Sequence, residues 1–346
     1  MSKITPLTAA LLFAVSGSVL ANERVAEVEQ NGIDNSAEQT QSGVMQRSFI
    51  LQNGTENSAL TNQSGTSSEG GQASIEQVGA LNTAEIYQVN GSRPGMASAY
   101  IYQTGNANSA ALEQHESRDE LAVTATIHQE GTGNQLNARQ AWVGNQLDVV
   151  SIGQGNIVQV DQSGFSTAEI QQTGTANLVQ LEQVSTGIGG GFAVVEQNGI
   201  ANQANIQQFS GRYPAADVFL QQIGVANIAQ IEAGGGYSSL DYIQRGTGNE
   251  LDAYMAGQNS SLTGYSEGDY NTVVTSQVGN NNSLDIVQVG SYNQIEARQE
   301  FHAHEALISQ TGHGNQAFLT QAQSLGSNSA SVVQNGSGNI TSVLQQ

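Results

Sequence analysis

A chain of 346 residues with no cysteine and a formal charge of −21 has neither disulfides nor thiolate metal sites open to it. Thirty acidic residues against nine basic ones argue against nucleic acid and anionic membranes as partners, since such a field repels phosphate. Aromatics are only 5% of a sequence dominated by Gly, Gln, Asn and Ser, which leaves disorder or a repeat in which polar side chains stack.

Residues 1–21 read as a secretory signal peptide. Lys3 gives a basic start, Leu7 to Val15 an apolar middle, and Val19-Leu20-Ala21 a small-residue cleavage site. The apolar run is too short and too interrupted to span a bilayer. Lys3 is the only lysine, so its removal takes the charge from −21 to −22 in a mature chain of residues 22–346, read as one domain.

From Val25 onward the chain repeats itself. A Gln opens nearly every unit, at Gln30, Gln41, Gln52, Gln63, Gln77, Gln88, Gln103, Gln114, Gln129 and Gln140, and on to Gln334 and Gln345. Ser151, Ala233, Met255 and Ser266 stand in for it at four places. Of 28 such anchors 24 are Gln, and 20 of the 27 intervals are 11 residues, a regularity that excludes disorder. Within each unit the period is two. The residue two before the anchor is apolar in 24 of 28 cases (Ile75, Ile86, Ile101), while the residue one before it is often charged (Glu76, Glu113, Arg139). That alternation predicts short strands with one buried face, the Gln among the buried residues.

The turns after the anchors sort into two classes. Every second one has Gly at its third place and Asn at its sixth. The first seven are Gln30/Gly32/Asn35, Gln52/Gly54/Asn57, Gln77/Gly79/Asn82, Gln103/Gly105/Asn108, Gln129/Gly131/Asn134, Ser151/Gly153/Asn156 and Gln172/Gly174/Asn177. The others are Gln197/Gly199/Asn202, Gln222/Gly224/Asn227, Gln244/Gly246/Asn249, Ser266/Gly268/Asn271, Gln288/Gly290/Asn293, Gln310/Gly312/Asn315 and Gln334/Gly336/Asn339. Gly there implies a backbone at φ > 0, and Asn a cap that resumes the inward register. The alternate turns are loose. All seven intervals that depart from 11 residues begin at them, and Pro94 and Pro214 lie in their insertions.

The physical repeat is therefore 22 residues: strand, tight turn, strand, variable turn. Stacked in order it gives an all-β fold, a cross-β β-solenoid (β-helix) of about 14 coils with two strands per coil. Inward Gln and Asn, costly if left unpaired, would form ladders from coil to coil. The repeat runs almost to both ends of the mature chain without a visible cap, so each end is expected to offer an open strand edge for head-to-tail addition of another copy.

The pattern Gln-x-Gly-x-x-Asn-x-Ala-x-x-x-Gln, intact at Gln77–Gln88, Gln103–Gln114 and Gln197–Gln208, resembles the curlin repeat of curli fibre subunits and covers essentially the whole mature chain. The resemblance implies a bacterial functional amyloid, secreted through the periplasm and polymerised outside the cell as a fimbrium-like fibre for biofilm matrix, adhesion and cell aggregation. It implies the chain itself as chief partner, with a nucleator subunit, an outer-membrane secretion channel with chaperones, and surfaces or host matrix as the others. The chain departs from that family in having about 14 repeats and no Gly-rich segment before the first, and it lacks the divergent basic repeat that ends the nucleator.

No catalytic, metal or cofactor constellation stands beside the repeat. His302-Ala-His304 could place two imidazoles on one strand face with Glu300 as a third ligand, but the segment falls in a variable turn. Asp119-Glu120 and Glu267-Gly-Asp269 lack calcium-loop spacing. Gly189–Gly191 and Gly234–Gly236 lack the Lys-Ser/Thr and helix of a phosphate loop. Trp142, at the Gly position of a variable turn, reads as a local plug or surface contact rather than a ligand platform. The rival class is a monomeric secreted solenoid adhesin or ice-binding protein, but outward positions mix Glu, Tyr, Gln and Ser rather than present flat Thr arrays.

Overall fold

The structure is a computed structural model that describes residues 23–66, 70–91, 96–115, 121–187, 189–324 and 326–346. The expected signal peptide, Pro94 and Asp119-Glu120 lie outside those residues.

Alternation of period two decides the local structure. There are 28 strands, numbered β1 to β28 in chain order, and no helix among the described residues. The odd-numbered strands make one 14-stranded sheet and the even-numbered strands another, each in sequence order. The first coil is β1 (Val25–Ile33) with β2 (Ser36–Gln41), and the last is β27 (Ser329–Ser337) with β28 (Ile340–Gln345). Each strand pairs in parallel with the strand two further on, Gln over Gln and Gly over Gly, as in Gln77 with Gln103 and Gly79 with Gly105. This is a two-sheet β-solenoid of fourteen coils.

The core is the seam between the sheets. Positions two and four before each anchor point into it, filled by residues such as Ala73 and Ile75 on the odd sheet and Ala84 and Ile86 on the even one, all at most 1% exposed. The anchors Gln77, Gln88, Gln103 and Gln114 are buried alongside them. Insertions leave the stack undisturbed: β6 (Thr83–Asn90) and β8 (Ser109–His115) pair in register, Gln88 with Gln114, although these anchors are 26 residues apart rather than 22.

The two-edge picture needs one correction. Four of the six loose turns that carry no insertion adopt the geometry of the tight ones, with positive φ at the second and fourth residues after the anchor, while those after Ala233 and Met255 keep only the later one, at Tyr237 and Asn259. Gly43 and Met45 do so at φ 100° and 53°, and Gly279 and Asn281 at 113° and 60°. Trp142 fills the glycine place of its turn at φ 72°, and its ring lies over Gly164. The edges differ in tolerance of insertion, and the turn itself is one design used twice.

Candidate functional site

The candidate site is the set of side-chain columns that run along the stack and end at its two terminal coils. Most inward Gln divide their amide hydrogens between two partners. Nε2 of Gln77 donates to Oε1 of Gln103 one coil on, at 2.9 Å, and across the seam to the Ser58 carbonyl, at 3.0 Å. A buried amide is tolerated only when both hydrogens find acceptors, and this arrangement meets that need while tying the sheets together.

On the odd sheet the column runs Gln30, Gln52, Gln77, Gln103, Gln129. It resumes as Gln172, Gln197, Gln222, Gln244 and again as Gln288, Gln310, Gln334. Ser151 and Ser266 occupy the gaps, each hydroxyl donating to the next Gln, at 3.4 and 2.8 Å. On the even sheet Gln41, Gln63, Gln88, Gln114, Gln140, Gln162, Gln183 and Gln208 form one run, and Gln277, Gln299, Gln321 and Gln345 another. Between these runs stand Ala233 and Met255, and Oε1 of Gln277 is left buried without a donor.

The Asn column has no such gap. From Asn57 to Asn339 each Asn backbone N–H donates to Oδ1 of the Asn one coil back, as Asn82 does to Asn57 at 3.1 Å. The column thus links Asn35, Asn57, Asn82, Asn108, Asn134, Asn156, Asn177, Asn202, Asn227, Asn249, Asn271, Asn293, Asn315 and Asn339. Nδ2 also reaches the Gly carbonyl of the next coil, 2.9 Å from Asn82 to Gly105. The two columns donate in opposite senses, Gln toward the C-terminal coil and Asn toward the N-terminal one.

The third-place glycines have two reasons to be glycine. From Gly32 to Gly336 their φ lies between 109° and 139°. At Gly32, Gly54, Gly79, Gly105, Gly131, Gly153, Gly174, Gly199, Gly224, Gly246, Gly268, Gly290 and Gly312 a Cβ would also stand only 1.8–2.1 Å from the glycine carbonyl oxygen one coil on. A second left-handed residue, which sequence reasoning missed, follows two places later in every tight turn. Nine are not glycine, among them Leu81, Ala107, Tyr270 and Tyr292, with φ 54–58°. The only sequence trace of it is that Gly recurs there five times, at Gly133, Gly155, Gly248, Gly314 and Gly338.

The even column is interrupted where the odd sheet departs from pattern too. Tyr242, fully buried, stands in register with Gly264, which adds no side chain there, and its hydroxyl meets Ser266 Oγ at 2.8 Å. Burial pushes the Tyr242 phenol above the ordinary tyrosine range.

The other motifs build no shared site. His304 is buried, its Nδ1 accepting from the Asn328 N–H. His302 is exposed, its Nδ1 accepting from the Asn280 N–H, and Glu300 pairs with Arg298. The two imidazoles therefore point apart, a correction to the one-face arrangement, because the left-handed Ala303 between them breaks strand alternation. Among the described residues no three His, Asp or Glu side chains gather as a metal site would need. Gly189 serves packing, its carbonyl accepting from the Ser185 and Ser210 hydroxyls. A shallow open groove of about 420 Å³ crosses the even sheet's outer face, lined by Leu60, Glu85, Tyr87 and Glu113.

Fold and columns together define a class, a β-solenoid whose coils are joined by amide ladders as well as by backbone. Residues 279–322, two successive coils, match the family model of the curlin associated repeat. No curated protein matches the chain. Repeat and solenoid together suggest a structural, fibre-related protein rather than an enzyme.

Proposed function

We propose that the chain is the structural subunit of an extracellular, curli-like amyloid fibre, assembled by seating the first coil of one copy on the last coil of another. The observation that supports this reading is the match between the terminal coils. β1 and β27 are each nine residues long with Gln sixth and Gly eighth, and β2 and β28 are each six residues long and end in Gln. Set one strand spacing apart, about 4.8 Å, Gln334 and Gln345 present Nε2 to Oε1 of Gln30 and Gln41 of the next copy. Asn35 of that copy presents its N–H to Oδ1 of Asn339. Each is a bond the coils already make within the chain. One Nε2 hydrogen of Gln334 now rests on Thr341 Oγ1 at 2.9 Å, and docking exchanges that partner for a Gln. Val333, Ile340 and Leu344, 62–71% exposed on the last coil, would lose part of that exposure to the neighbour.

In this reading residues 1–21 direct export, an outer-membrane channel with chaperones passes the chain, and a nucleator subunit starts the fibre. The fibre then serves biofilm matrix, surface adhesion and cell aggregation. Size-exclusion chromatography and fibre diffraction of residues 22–346 test the central claim. Fibres with a meridional reflection near ~4.7 Å are expected. A soluble monomer without it overturns the proposal and is how a monomeric adhesin or ice-binding solenoid would behave.

A further inference from the structure

We infer that Tyr270 and Tyr292 form an oxidative cross-linking site, at which a carbon–carbon bond between the two rings staples one coil to the next. Both occupy the left-handed place of a tight turn, each at φ 55°. The backbone fixes them one above the other: the Tyr292 N–H donates to the Asp269 carbonyl at 2.9 Å, and the Tyr270 N–H to the Thr247 carbonyl at 2.8 Å. Their rings are nearly parallel, 20° apart in plane with centroids at 5.2 Å, and the residues are 50% and 57% exposed. Matching backbone conformation in matching register stacks the two rings nearly parallel, one coil apart.

The surroundings select the chemistry. One face of Tyr270 rests on Gly248, where a Cβ would come within 2.7 Å of Cδ1 and Cε1. The far side of Tyr292 meets His313 edge-on, at 5.4 Å and 71°. With the ring faces taken, a planar ligand such as a sugar has no platform, and what remains open is the rim that carries the hydroxyls and the carbons ortho to them. Tyrosines couple at those ortho carbons. Without cysteine the chain has no disulfide with which to join coils covalently. The other tyrosine pair, Tyr213 and Tyr237, lies at 5.9 Å and 51°, with the Arg212 guanidinium over the first ring. That tilt is the poorer geometry for ring-to-ring bonding.

The step needs a one-electron oxidant, here a peroxidase with hydrogen peroxide. Each phenol gives one electron to the oxidant and one proton to solvent. The two phenoxyl radicals join at ortho carbons, and the hydrogens on those carbons move to the phenolic oxygens to restore both rings. The chain loses two hydrogens in all, and the peroxide is reduced to water.

The test treats the folded chain with peroxidase and hydrogen peroxide and then cleaves after acidic residues. Asp285 separates Tyr270 from Tyr292, and Asp269 and Glu296 flank the pair, so the bond appears in mass spectrometry as peptide 270–285 linked to 286–296. This species is expected as the main cross-link, several-fold above any joining Tyr213 to Tyr237, and to vanish in Tyr292→Phe while the circular dichroism stays that of the parent. Its absence when other tyrosine links form overturns the inference. So does equal yield from the chain unfolded in urea, since the geometry would then direct nothing.

Discussion

Two glycines in one turn make opposite demands, and exchanging each for alanine separates them. Gly131 holds φ 114°, and a Cβ there would lie 2.0 Å from the Gly153 carbonyl oxygen one coil on. An alanine in that backbone region costs about 1–3 kcal/mol. The displaced carbonyl also forfeits its bond from Asn134 Nδ2, at 3.2 Å, a further loss of about 1 kcal/mol. Gly133 holds φ 69°, and a Cβ there would meet nothing within 4 Å. Alanine already occupies the same place at Ala107, Ala176, Ala201 and Ala226, at φ 54–56°. There the left-handed penalty of about 1–2 kcal/mol is partly offset by about 0.4–1 kcal/mol from a stiffer unfolded chain. Gly131→Ala is therefore expected to destabilise its coil by about 3 kcal/mol, and Gly133→Ala by about 1 kcal/mol. Because coils open locally rather than all at once, native-state hydrogen exchange over residues 123–163 is the assay. About a hundredfold loss of protection should follow the first change, at a decade per 1.4 kcal/mol, and little the second. Equal losses, or a larger one for Gly133→Ala, would refute the reasoning.

Other outcomes follow from the same geometry. Met255→Gln alone gives Gln277 a donor but leaves the new amide oxygen unpaired, whereas Ala233→Gln with Met255→Gln joins the two even-sheet runs. The double variant should exceed the single by about 1–2 kcal/mol in urea unfolding, and equal midpoints would count against the ladder as a source of stability. The unfolded Tyr242 phenol ionises near about pH 10 and the folded one higher, so the folded state keeps its proton longer. Stability from this group is intact below about pH 10 and falls as pH rises further; Tyr242→Phe should flatten that alkaline limb, and an unchanged limb would exclude Tyr242 as its source. Outward carboxylates stack in register, Asp148 over Glu169 for one, and burial raises the pKa of Asp217. A raised carboxyl pKa favours the folded state as pH falls through it; protonating carboxylates also lessens the repulsion between copies of so acidic a chain, so, in the proposed assembly, fibres followed by an amyloid dye should grow faster near about pH 4 than near about pH 8. Equal or slower growth in acid would remove charge repulsion as the brake.

Period and register were legible because each is repeated many times. One Gln per unit marks an inward place, and the alternation beside it marks which neighbours are buried. What escaped was whatever leaves no constant residue type. The left-handed residue after each glycine is by turns Asp, Glu, Leu, Ala, Tyr or Gly, since its side chain points outward and only its backbone is constrained. Kinship between the two edges was hidden because insertions draw the eye to the turns that differ, while Gly43 and Gly279 follow the common turn. The direction in which an amide donates is a matter of geometry, so the opposed Gln and Asn columns could not be read from spacing. Nor could the second hydrogen of each Gln, which crosses to a backbone carbonyl such as that of Ser58. Tyr242 counted as one more apolar residue, and only its register with Gly264 and Ser266 makes the three a single accommodation.

The missing rungs at Ala233 and Met255 bear on how the proposed fibre would break. A rod of stacked coils pulled along its axis is a set of links in series, and every interface carries the same load. Failure begins at the interface with fewest bonds across it, and in this chain the side-chain contribution is thinnest around those two residues. The proposed fibre of identical rods would then carry one soft plane per copy, recurring every fourteen coils or roughly 65–70 Å at the strand spacing. Under shear its fragments would come in lengths counted in whole copies, and every break would expose two fresh faces for regrowth.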